Sequence, residues 1–82
     1  LPALLFAYDI YKRAHKNGLE KYGDWDEELL SKNSGTLNEE KAGKALFEWV
    51  GACRDSGIDP ESALRKFAAS QVEKLDRSIA AD

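Results

Sequence analysis

Apolar residues recur along this chain at three- and four-residue intervals rather than in alternation, which is the spacing of amphipathic helices. Glycine, asparagine and proline divide the pattern into four segments. The first, PALLFAYDIYKRAHK over residues 2–16, places Leu4, Tyr8, Tyr11 and His15 on one stripe, with Leu5 widening it. Pro2 suits a first helical turn, where a missing N–H is harmless, and Asn17-Gly18 supplies a stop tolerant of positive φ. The second, DWDEELLSK over residues 24–32, is short and anchored by Trp25, Leu29 and Leu30, with Asp24 as the expected cap. The third is expected to open on a Thr36/Glu39 capping box and to run through Ala42, Ala45, Leu46, Trp49, Val50 and Cys53 to a stop at Gly57. Asp59-Pro60-Glu61 opens the fourth, and Leu64, Phe67, Ala68, Gln71, Leu75 and Ile79 continue its stripe. No segment reads as a strand.

This pattern predicts an all-α chain: a small helical bundle of long antiparallel helices with a shortened second helix, forming a single domain over residues 1–82. A stub at the second position leaves part of the longer helices uncovered. Completion by a homodimer or higher homo-oligomer is therefore expected, all the more because 82 residues bury only a modest core.

Composition narrows the function classes. Twelve basic against fifteen acidic residues give a net charge of −3, which argues against a partner that is a nucleic acid polymer. One cysteine, Cys53, allows neither an internal disulfide nor a thiolate zinc site. With no secretory pattern and no membrane-length apolar run, a cytoplasmic protein without membrane contact is expected. Because the chain opens on Leu rather than Met, it is expected to be a piece of a longer one.

Candidate chemistry is sparse. His15 is the single histidine and ends the first stripe, so it reads as a packed side chain more readily than a catalytic one. Cys53 reads as a buried thiol, Trp49 as core, and Trp25 as either core or a ring free to stack on a base. No Gly-rich phosphate loop, nucleophile elbow or His/Cys cluster is present. The dense acids Asp24, Asp26, Glu27 and Glu28 suit a solvated helix N-terminus. A hard-cation site would need them to converge with a second element, for which Glu39 and Glu40 are nearest.

Two blocks carry a family resemblance. LPALLFAYDIYKRAHKNG resembles the opening of MazG-type nucleoside triphosphate pyrophosphohydrolases, matching at Leu1 to Leu4, Ile10, Lys12, Arg13, Ala14 and Gly18. ALFEWVGACRDSGIDPESALRK resembles that family's helix–turn–helix. Its matches include Gly43, Leu46, Phe47, Arg54, Gly57, Ile58, Asp59, Pro60, Glu61, Ala63 and Leu64. The resemblance implies an all-α fold assembling as dimers or larger oligomers. It also implies Mg²⁺-dependent cleavage of nucleoside triphosphates to monophosphate and pyrophosphate, with Glu-x-x-Glu on one helix and Glu-x-x-Asp on the next holding the metal.

The chain departs from that pattern at the ligands. Aligned through Gly43 and Gly57, the Glu-x-x-Asp positions fall on Lys41 and Lys44. An ammonium offers no lone pair and repels a divalent cation. Glu40 survives but points about 100° away from Lys41 around the helix. The second segment offers no acid three residues after Glu28, and AASQ at residues 68–71 replaces the family's Asn-x-Lys-Phe turn. The resemblance thus implies a degenerate, catalytically impaired member acting as a dimerisation module or a nucleotide-binding remnant. In the latter reading Lys12, Lys16, Trp25, Lys41 and Lys44 contact the nucleotide. The alternative is an active enzyme that rebuilds its Mg²⁺ site from Glu27, Glu28, Glu39 and Glu40.

Overall fold

A computed structural model describes residues 2–81, with side chains described through Arg77. The described residues form four α-helices and one 3-10 turn, with no strand. These are α1 (Ala3–Lys16), the turn Glu20–Tyr22, α2 (Glu27–Ser34), α3 (Glu39–Asp55) and α4 (Pro60–Ala81). Two compact units result: residues 1–25 with 61–82, and residues 26–60. Leu1 of the first resemblance block lies outside the described residues, as does the side chain of Ile79.

The first unit pairs α1 with α4. The Ala3 N–H donates to Glu61 Oε2 at 3.0 Å, while Arg13, Asn17 and Leu19 share a hollow with Val72, Leu75 and Asp76. The start of α1 therefore lies beside the start of α4, and the two run in the same direction. Residues 26–60 intervene between them, which makes a same-direction pair possible without a tight turn.

The seam of this pair corrects the sequence expectation for α1. Ala3 and Ala14 are fully buried, together with Ala68 and Leu75 on α4. Of the expected stripe, Leu4, Leu5 and Tyr8 are more than half exposed, while Tyr11 is half-buried. Alanine faces let two helix backbones approach toward the short end of the ~8–10 Å packing range, which bulky Leu and Tyr side chains would prevent.

The second unit holds α2 and α3, and neither has a buried residue. At eight residues against seventeen, α2 spans less than half the length of α3. Trp49, expected as core, is 72 % exposed and Phe47 78 %, while Cys53 is half-buried rather than buried.

Helix ends follow local chemistry. Asp26, not Asp24, caps α2 by accepting from the Leu29 N–H at 3.0 Å. Asn38, not Thr36, caps α3 by accepting from the Lys41 N–H at 2.9 Å. Both caps have extended backbone, and a carboxylate or amide oxygen reaches the third amide onward. Gly18 (φ 66°) and Gly57 (φ 74°) stop α1 and α3 in the left-handed region that only glycine adopts freely. Leu19 N donates to Ala14 O and Ile58 N to Cys53 O, the six-to-one bonds of the Schellman motif.

Candidate functional site

The richest polar constellation lies in the first unit, where the segment Gly23-Asp24-Trp25 crosses α4. Asp24 N donates to Gln71 Oε1 at 2.7 Å, and Gln71 Nε2 donates back to Asp24 Oδ2 at 2.9 Å. Lys74 Nζ donates to Asp24 Oδ1 at 2.6 Å. The Lys74 hydrogen bond is the main reason the Asp24 carboxyl sits below its ordinary value, helped by the Gln71 bond and opposed by partial burial. Gln71 is only 2 % exposed, yet its amide oxygen and nitrogen both have partners, so its burial on an apolar stripe is satisfied.

Trp25 follows directly. Its ring meets Tyr11 edge-on, with centroids 5.7 Å apart at 62°. It lines a hollow of about 160 Å³ with Ala7, Ile10, Tyr11, Leu64, Phe67, Ala68 and Gln71. A Cβ on Gly23 would overlap the six-membered ring of Trp25, so glycine is what permits the indole to fold back over its own chain.

A second hollow lies on the outer face of α1, lined by Tyr8, Tyr11, Lys12, His15 and Lys16. Lys12 and Lys16 are one helical turn apart on this face. The His15 ring stacks on Tyr11 at 5.9 Å, and its Nδ1 lies 2.9 Å from Glu20 Oε1. The histidine is thus neither core nor adjacent to a nucleophile; it ties the end of α1 to the 3-10 turn.

The remaining expected site residues belong to the second unit. Lys41 and Lys44 are exposed in the first half of α3. Glu27 and Glu28 occupy the first turn of α2, and Glu39 and Glu40 that of α3, where acids favour the positive end of each helix. Among the described residues, no three His, Cys, Asp or Glu side chains gather so as to hold a metal ion. Glu27, Glu28, Glu39 and Glu40 are not gathered into such a group.

Of the five nucleotide-contact candidates, the structure brings Lys12 and Lys16 to one hollow and sets Trp25 on the neighbouring one, with Tyr11 shared by both. Sequence reasoning missed Asp24 as a bridging residue and Gln71 as its partner. The available signal was a glutamine at a position where the helical stripe calls for an apolar side chain. Among the described residues, no helix is long and apolar enough to cross a membrane. Compared with known proteins, the chain matches no family model, no curated protein and no solved structure.

Proposed function

We propose that this chain is a degenerate MazG-like helical module that has lost metal-dependent hydrolysis and serves to hold copies of itself together. One observation carries the reading: the state of α3. This seventeen-residue helix has no buried residue, with Lys41 and Lys44 exposed at the positions where the resemblance puts two metal ligands. The same helix exposes Leu46, Phe47, Trp49 and Val50. An apolar helix face of this kind is stabilised by a partner surface. A self-complementary contact needs roughly 800 Å² from each copy, of which a buried Trp and Phe supply about 150–250 Å² each.

Sedimentation and a pyrophosphate-release assay test the two halves separately. The expected result is a dimer or larger species, converted to monomer by Trp49→Glu with helix content retained. A wild-type chain that stays monomeric at high micromolar concentration removes the association role. With Mg²⁺ or Mn²⁺ and each common nucleoside triphosphate, no pyrophosphate above background is expected. Release that disappears in Glu40→Gln would instead support the rearranged carboxylate site. Reverting Lys41→Glu and Lys44→Asp together tests how much of the site remains: if Mg²⁺ binding does not return, more than this helix has been lost.

The α1 hollow favours a second reading, a metal-independent nucleotide-binding remnant. Tyr8 and Tyr11 offer ring faces, and Lys12 and Lys16 sit about 6 Å apart along the helix, a separation suited to successive phosphates. Calorimetry with nucleoside triphosphates in EDTA should then show binding that Lys12→Ala/Lys16→Ala abolishes. Silence at millimolar ligand removes this reading and leaves the association role untouched.

A further inference from the structure

We propose that the outer face of α1 in one copy of the chain receives α2 of a second copy, laid antiparallel, and that two-fold pairing makes this contact twice. The contact rests on the association proposed above and gives it a second surface besides α3.

The outer face of α1 changes character along its length. Its first half exposes Leu4, Leu5 and Tyr8, and its second half exposes Lys12 and Lys16. Asp9 is the single acid of the helix, against Lys12, Arg13 and Lys16. Lys12 and Lys16 have no hydrogen-bond or ion-pair partner among the described residues. The negative end of a helix favours cations, which accounts for the lysines but not for the exposed apolar half before them.

The order on α2 is the reverse, acid first and apolar after. Asp26 lines one hollow with Leu29, Leu30 and Leu37, and Leu29 and Leu37 are more than half exposed. Asp26 caps the helix through Oδ1, which leaves Oδ2 to accept from a second donor, and Glu27 follows it in the first turn. Tyr8 and Lys12 are four residues apart, as are Asp26 and Leu30, about 6 Å along a helix in each case. Antiparallel docking therefore sets Asp26 against Lys12 and Leu30 against Tyr8, with Leu37 directed toward Leu4 and Leu5. Glu27 adds negative charge beside Lys16, and the opposed helix dipoles favour the same arrangement.

Interface area calls for such a contact. Trp49 and Phe47 of α3 supply only about half of the roughly 800 Å² that each copy needs. The α1 and α2 faces add Leu4, Leu5, Tyr8, Leu29 and Leu37 from every copy. Docking would fill the α1 hollow, so it competes with the nucleotide reading of that hollow.

Charge reversal tests the contact by sedimentation. One chain carries Lys12→Glu/Lys16→Glu, and the other carries Asp26→Asn/Glu27→Lys, where asparagine retains the cap. Each alone should self-associate at least tenfold more weakly than the parent, because like charges then meet. An equimolar mixture should regain the parent affinity, since both contacts of the mixed pair join unlike charges. Leu29→Ser should weaken association several-fold. If the reversed chains associate as tightly as the parent, the α1–α2 contact is wrong while association through α3 stands. If they dissociate with far-ultraviolet dichroism unchanged and mixing restores nothing, the charges do not meet across copies and the proposal fails. Unchanged association of Leu29→Ser also overturns it. Should a reversed chain lose helix content, the parent decides: dissociation that does not rise with added salt removes the contact. A parent that is monomeric throughout removes both this contact and the association on which it rests.

Discussion

The two units of this chain solve the same problem of holding helices in place by different means. In the unit of α1 and α4, burial is made by alanines at a close helix seam and is supplemented by the Asp24–Gln71–Lys74 contacts across distant sequence. In the unit of α2 and α3, no residue of either helix is buried, and its helix ends are set by local bonds such as the Asp26 and Asn38 caps, the Ser34 and Thr36 hydroxyls to nearby carbonyls, and the Schellman bonds at Gly57. Local capping sets where a helix starts and stops, but it contributes only about 1 kcal/mol at each end. Helices of this length are marginal in water without a packed face. The second unit thus has its helices specified and its packing unfilled. The first has both.

The sharpest way to break this comparison is to place one substitution in each unit. Ala14→Leu adds three carbons to a fully buried seam position and should destabilise by about 1–3 kcal/mol through overpacking. Ala45→Leu makes the same change on exposed α3 and should stay within about 0.5 kcal/mol. Thermal melts resolve the contrast, since 1 kcal/mol moves the midpoint of a domain this small by about 4–8 °C. Equal shifts would show that α3 is packed as tightly as α1.

Next in size is the polar bridge. Gln71→Leu keeps the volume but leaves the Asp24 amide and one carboxylate oxygen without their partner, and should lower stability by about 1–2 kcal/mol. Were the position simply an apolar stripe site, leucine would stabilise instead, so the sign of the change decides. In the other unit, Asn38→Ala should remove about 1 kcal/mol of helix stability while Asn38→Asp retains it, read as local amide exchange in the first turn of α3. That loss should be confined to the second unit if its stability is local.

The same division governs what could be read from the chain beforehand. Four helices and the stops at Gly18 and Gly57 follow from periodicity and backbone chemistry, which are local. Each cap lies two residues beyond the expected one: Asp24 and Asp26 are equivalent candidates until a tertiary contact chooses between them, while the Thr36 hydroxyl bonds back to Asn33 O and leaves the α3 cap to Asn38. Asp24 is drawn to α4, leaving Asp26 to cap. The buried face of α1 was misread because hydrophobicity ranks Leu4 and Tyr8 above Ala3 and Ala14, whereas close packing rewards the smaller side chains. Lys12 and Lys16, named only among five candidate nucleotide contacts, share a hollow on α1. Gln71 reads as one more position of the α4 stripe, because its partner lies 47 residues away and no local pattern names it.

The smallest expected effect is on pH, and it belongs to the first unit. Lys74, and then Gln71, hold the Asp24 carboxyl below its usual 3.8 in the folded chain. A group whose folded value is depressed contributes stability that is fully present above its unfolded value and is lost as pH falls through the folded one. The Asp24 contribution should therefore be intact at neutral pH and disappear only below about pH 4, on the acid side of the ordinary carboxylate range. Because Asp24 and Lys74 are both substantially solvated, added salt should shrink it further. Asp24→Asn keeps an oxygen to accept from Gln71 or Lys74 and removes the charge. Melts of parent and variant from pH 7 down to pH 3 should then converge at the acid end, with the parent the more stable at neutral pH. A gap that instead widened on acidification would place the stabilising proton on the folded form, the opposite sign to a carboxylate held by Lys74.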